Sequence, residues 1–176
     1  PNQRLRLIHR DTAGPGHALA LQGNLELMAA QIHARQAEHL LNHERLLAEL
    51  EELGIPVDGN LLPPGVSPEA APAAAVKTKA ARAAAELARN AAIEAAKAAL
   101  DAYQQADAPL QQLWVLHANM ATVHHLLANI TTGDQSAQHA DQARIEYLRA
   151  MKGREERPEV PALQRAMASL TTLPAP

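Results

Sequence analysis

From Ala108 to Gly133 the chain runs for 26 consecutive residues without Asp, Glu, Lys or Arg, in a sequence that is 20% charged overall. The only readily titratable side chains there are His117, His124 and His125. A helix that borders water carries charge on its wet face, so one without charge is expected to be surrounded on most sides by other protein. The stretch has the length of a membrane span. However, Gln111, Gln112, His117, Asn119, Thr122, His124, His125 and Asn129 are costly in hydrocarbon, and the membrane reading is set aside.

The side chains available to pack around such a helix are few in kind. The 176 residues hold no Phe, one Trp (Trp114) and two Tyr (Tyr103 and Tyr147), so a core must rest on Leu, Ala, Ile, Val and Met. These suit close helix contacts better than a sheet, which favours aromatic and β-branched residues. The expectation is an all-α fold: an elongated helical bundle of about four main helices with a Pro-rich linker, oligomeric. Zero cysteines exclude disulfides and thiolate chemistry. A formal net charge of −3 gives no overall polyanion-binding signature. No stretch reads as a signal peptide, which points to a cytoplasmic or virion location.

The chain divides by composition into an extended N-terminal arm (1–16), a helical bundle domain (17–153, with the Pro-rich linker at 55–72) and a short C-terminal helix and tail (154–176). The arm carries Arg4, Arg6 and Arg10 around Leu5, Leu7 and Ile8. It is either a solvated tail or a small polyanion-binding footprint. A first helix is expected from residue 17 or 24 to Leu53, with Asn24 as its cap and Gly54 and Pro56 as its stop. Along it Ile32, His39, His43, Leu46, Leu50 and Leu53 recur at helical spacing, an apolar seam interrupted by two histidines.

Seven prolines and glycines between 55 and 72 favour extended, semi-rigid geometry, which crosses a bundle end or reaches a neighbouring subunit. From Ala73 to Ala102, 16 of 30 residues are alanine, which predicts a helix that neighbours approach closely. Asp107-Ala108-Pro109 marks a turn or a kink before the uncharged helix, expected from Leu110 to about Ile130. A fourth helix follows, capped by Asp134 and running to Gly153. A short one then uses Leu163, Met167 and Leu170.

In the uncharged helix Leu110, Leu113, His117, Met120, His124 and Leu127 recur at three and four, a heptad seam with histidine at two positions. Trp114, Ala121 and Ala128 widen it, and Leu116, Val123 and Ile130 form a second apolar face. An interface is therefore predicted at Leu110, Leu113, Trp114, His117, Met120, His124 and Leu127. Protonation of His117 and His124 near pH 6 is expected to disturb it.

A metal alternative uses His39 and His43, one helical turn apart, with His117 or His124 opposite, around zinc or another divalent transition metal. His39-Leu40-Leu41-Asn42-His43 has Leu where a metalloprotease needs its general-base Glu, and no Glu-x-x-His pair supports a di-iron site. Ser67, Ser136 and Ser169 lack a glycine-elbow context, and no Gly-rich loop joins a strand to a helix, so no catalytic or cofactor-binding residue is predicted.

The sequence thus points to a non-enzymatic helical structural or assembly protein without a cofactor, partnered by itself or by other protein subunits. Its alanine-rich, cysteine-free character fits a bacterial or phage setting. The alternatives are a small His-dependent metal-binding protein and a nucleic-acid-associated protein using Arg4, Arg6 and Arg10 with Lys77, Lys79, Arg82 and Arg89. Overall charge disfavours nucleic acid.

Overall fold

In a computed structural model of the protein, residues 14–53, 74–107, 110 and 113–170 are described. The N-terminal arm with Arg4, Arg6 and Arg10, the Pro-rich linker and the tail after Leu170 lie outside them. Among the described residues the fold is all-helical, with helices packed as in a bundle: α1 (Pro15–Glu52), α2 (Ala74–Asp107), α3 (Trp114–Ile130), α4 (Gly133–Met151) and α5 (Val160–Ser169). That is five helices where about four main ones were expected, the fifth being the short C-terminal element. No helix among the described residues is long and apolar enough to cross a membrane.

The chain forms two compact units, Pro1–Ala30 with Ile93–Pro176, and Gln31–Ala92. In the second, α1 buries Ala37 and Leu47 while α2 buries Ala85, Ala88 and Ala92. Arg82 reaches Glu44 across them at 3.6 Å. Four positions of the apolar seam expected here face outward: Ile32 is 62% and Leu53 71% exposed, and Leu46 and His39 are exposed as well, whereas His43 is half-buried and the side chain of Leu50 lies outside the described residues. Interaxial distance follows the side chains at the contact. Where one helix presents alanine, its neighbour approaches too closely to seat large residues, and alanine takes the inner positions.

The first unit has two hydrophobic clusters with α3 in both. One joins Leu27 and Ala30 of α1, Ala96, Ala99, Tyr103 and Ala106 of α2, and Leu116, Met120, Val123 and Leu127 of α3. The other joins Ala121 and Ala128 of α3 to Ala140, Ala143 and Tyr147 of α4 and to Leu170 after α5, with Leu163 and Met167 packed against it. The uncharged helix is thus the central one, as its composition implies. It begins at Trp114 rather than Leu110, whose N–H still donates to Ala106 O at the end of α2.

At the other end of α3, Thr131 donates from both N–H and hydroxyl to Leu127 O, and Gly133 turns the chain at a φ of +60°. That angle lies in the left-handed region that glycine adopts without cost. Asp134 does not cap α4. It sits in the first turn, where a carboxylate still complements the helix dipole.

Asn24 is not a helix cap either, because α1 starts nine residues earlier at Pro15. Its side-chain oxygen accepts from the Tyr103 hydroxyl at 2.7 Å and from Asn119 Nδ2 at 2.9 Å, tying α1, α2 and α3 together. Beside it, a β-carbon built on Gly23 would lie 2.6 Å from the Tyr103 ring. Tyr103 is fully buried, and burial pushes its hydroxyl up to about 12, partly offset by a hydrogen bond with Asn119.

Replacing an ordinary helical glycine by alanine raises stability by about 1 kcal/mol. For Gly23→Ala the opposite is expected, a loss on the order of 1–2 kcal/mol, because overpacking against the Tyr103 ring outweighs the gain in helix propensity. In a Tyr103→Leu background the same change should become neutral or stabilising. Urea denaturation of the four proteins reads the cycle, and a stabilised Gly23→Ala single variant would show that the ring is not there.

Candidate functional site

Three histidines of α3 meet α4 across an antiparallel hairpin. His117 Nδ1–H donates to Glu146 Oε2 at 2.8 Å, and the other oxygen of Glu146 accepts from Arg149 at 2.7 Å. Two turns further on, His124 and His139 share an Nδ1 to Nδ1 hydrogen bond of 3.1 Å. The His125 ring stands edge-on to Tyr147 and shares a 3.3 Å bond with its hydroxyl. Ser136 donates across the hairpin to Ala128 O. Glu146 is the buried charged residue among those described, and His117 and Arg149 supply the partners that a buried carboxylate requires.

Burial disfavours the charged form of three imidazoles at this seam, those of His124, His125 and His139. Burial lowers His124 from 6.5 to about 4, with repulsion from His139 adding to the effect and Glu146 opposing it. His139 is lowered by burial and then by Lys97, and His125 by burial. Protonation of His124 therefore falls well below the pH 6 expected from sequence. In the bonded pair one ring donates and the other accepts, so two cations there would face each other unscreened.

The predicted interface residues are engaged within the chain. Met120 and Leu127 are buried against α1 and α2, and Leu110 packs on the same cluster. His117 and His124 meet α4. Trp114 lies beneath the Arg154 guanidinium, 4.6 Å from its ring centre, and Arg154 also pairs with Glu159. Leu113, at the start of α3, is exposed.

Of the proposed metal ligands, His39 and His43 belong to the second unit and His117 and His124 to the first. Among the described residues no three His, Asp or Glu side chains are placed to hold a metal ion. Of the cations assigned to a nucleic-acid surface, Arg82 is paired with Glu44, while the side chains of Lys77 and Lys79 lie outside the described residues. In the second unit an open depression of about 270 Å³ is lined by Leu41, Glu44, Arg45, Ala48 and Arg82.

Sequence reasoning passed over His139, Glu146 and Tyr147. The signal was a matched pair of heptads: His117 and His124 are seven apart, as are His139 and Glu146, and a hairpin sets the first of one pair against the second of the other. Buried polar pairs of this kind fix register between helices. The hydroxyls of Thr122, Thr131, Ser136 and Ser169 donate to backbone carbonyls, so none of these bonds makes a hydroxyl–imidazole dyad.

The lowered histidines make stability depend on pH. The unfolded chain takes a proton on His124 near 6.5 and the folded chain only near 4, so between these values the unfolded state binds more protons. Stability is therefore fully present above pH 6.5 and is lost as pH falls through that window, His125 and His139 acting in the same direction. Thermal melting from pH 8 to 5, above the range where carboxylates dominate, should show a midpoint that drops below 6.5 and a shallower drop in His124→Gln. A midpoint that rises on acidification would contradict the burial of these rings. The chain matches no protein-family model, no curated protein and no solved structure.

Proposed function

We propose that the protein is a non-enzymatic helical assembly protein, acting as a homo-oligomer or as a subunit of a larger complex, in the cytoplasm or in a virion. The observation that carries this reading is on α1, where Leu21, Leu25 and Met28 are 55%, 61% and 58% exposed. Single exposed apolar residues are ordinary on any surface. Three large ones at intervals of four and three form a stripe along one helix face, and such stripes mark contact with other proteins.

The polar seam between α3 and α4 supports the non-enzymatic part of the reading. Its imidazoles are bonded to Glu146, His139 and Tyr147, and the hydroxyls of Thr122 and Ser136 nearby are bonded to backbone carbonyls. Each of these groups has an evident structural task, that of holding a hairpin in register.

Native mass spectrometry of untagged protein at micromolar concentration tests the proposal. The expected spectrum shows two or more copies of the chain, or the chain with copurifying subunits. A monodisperse monomer across the concentration range, with nothing copurifying, would overturn it.

A further inference from the structure

The assembly reading leaves open which surface does the joining. We propose that two copies of this chain associate through Leu21, Leu25 and Met28, with their α1 helices antiparallel. The inference rests on the assembly reading and adds the face, the partner and the orientation.

Spacing identifies the shape of the occupant. Intervals of four and three are those of a coiled-coil seam, in which each side chain enters a hole formed by four residues of a facing helix. Ile32, also exposed, continues the interval. An antiparallel register that sets Leu25 against Met28 of the second copy also sets Leu21 against Ile32 of the second copy, so each large apolar side chain meets another. Met28 is unbranched and adapts to the hole it enters.

Charge selects a second copy and its direction. Between Asp11 and Arg35 the sole ionised side chain of the Asp, Glu, Lys and Arg types is Glu26, which falls about 130° around the helix from the stripe at 100° per residue. Two copies of this stretch therefore meet without like charges in the seam. Beyond it the C-terminal half of α1 is acidic, with Glu38, Glu44, Glu49, Glu51 and Glu52 against Arg35 and Arg45. Parallel copies stack this acidic half on itself, whereas antiparallel copies keep the two acidic halves apart.

Leu25→Asp tests the face, with Leu87→Asp, a 72% exposed site on α2, as control. Native mass measurement and helical circular dichroism are read together. The expected result is an oligomer for the unaltered chain and for Leu87→Asp, and a monomer of unchanged helicity for Leu25→Asp, its dissociation constant raised at least about thirty-fold. An oligomeric Leu25→Asp overturns the seam and leaves the assembly reading standing. An unaltered chain that is monomeric without any partner removes both, and a different protein seated on the stripe overturns the commitment to a second copy.

Orientation, and any failure of Leu25→Asp to fold, is covered by disulfide trapping, since the chain has no cysteine of its own. An equimolar mixture of Leu25→Cys and Met28→Cys proteins should oxidise mainly to the mixed dimer. Self-crosslinked products in excess of the mixed one would show parallel helices, and no crosslink at all would show that the stripe is not paired.

Discussion

A tyrosine ring occupies the space in which position 23 would carry a β-carbon. Around that contact the first unit is organised: Gly23 lets the ring of Tyr103 lie against the α1 backbone, and Asn24 holds both the Tyr103 hydroxyl and the Asn119 amide. Three helices are fixed in register by one buried aromatic residue and two side-chain amides. In a chain without Phe this single ring supplies bulk that the alanines cannot, and its hydroxyl is satisfied on the side where α1 leaves the core.

The rest follows from how little volume alanine occupies. α2 offers alanine to its neighbours, so what packs on it is mostly small, and Leu21, Leu25, Leu41 and Leu46 of α1 are left on the outside while Ala30 and Ala37 go in with Leu27 and Leu47. α3 is the exception, filling the larger space beside Tyr103 with Leu116, Met120, Val123 and Leu127. Its remaining faces meet α4 through alanine and through imidazoles bonded to a carboxylate, a phenol and another imidazole, and burial holds His124 and His125 below the ordinary imidazole range. The absence of charge on α3 and the presence of histidine there have one physical origin, since a helix enclosed on several sides accepts polar groups only where each one finds a bond.

Much of this was legible in the sequence. The helices, the central place of the uncharged segment and the packing of Leu163, Met167 and Leu170 follow from composition and spacing alone. What was not legible turned on pair geometry. Gly23-Asn24 reads as a helix start, since a glycine in mid-helix is unfavourable until a ring that needs its space is known. The α1 seam at Ile32, His39 and Leu46 reads as buried, since periodicity reports that a helix has an apolar face without reporting which neighbour is too close to accept it. His117 and His124 read as an interchain seam because their partners, Glu146 and His139, sit on a helix whose own heptad is mostly polar.

Among the described residues α3 is enclosed by its own chain, and the exposed stripe of α1 is the surface proposed for another. Amide hydrogen exchange at two concentrations, one above and one below the association midpoint, separates the two most directly. Protection of residues 116–127 should be the strongest in the protein and unchanged on dilution, because the partners of those residues dilute with them. Loss of that protection on dilution would contradict the account and make α3 the seam between chains.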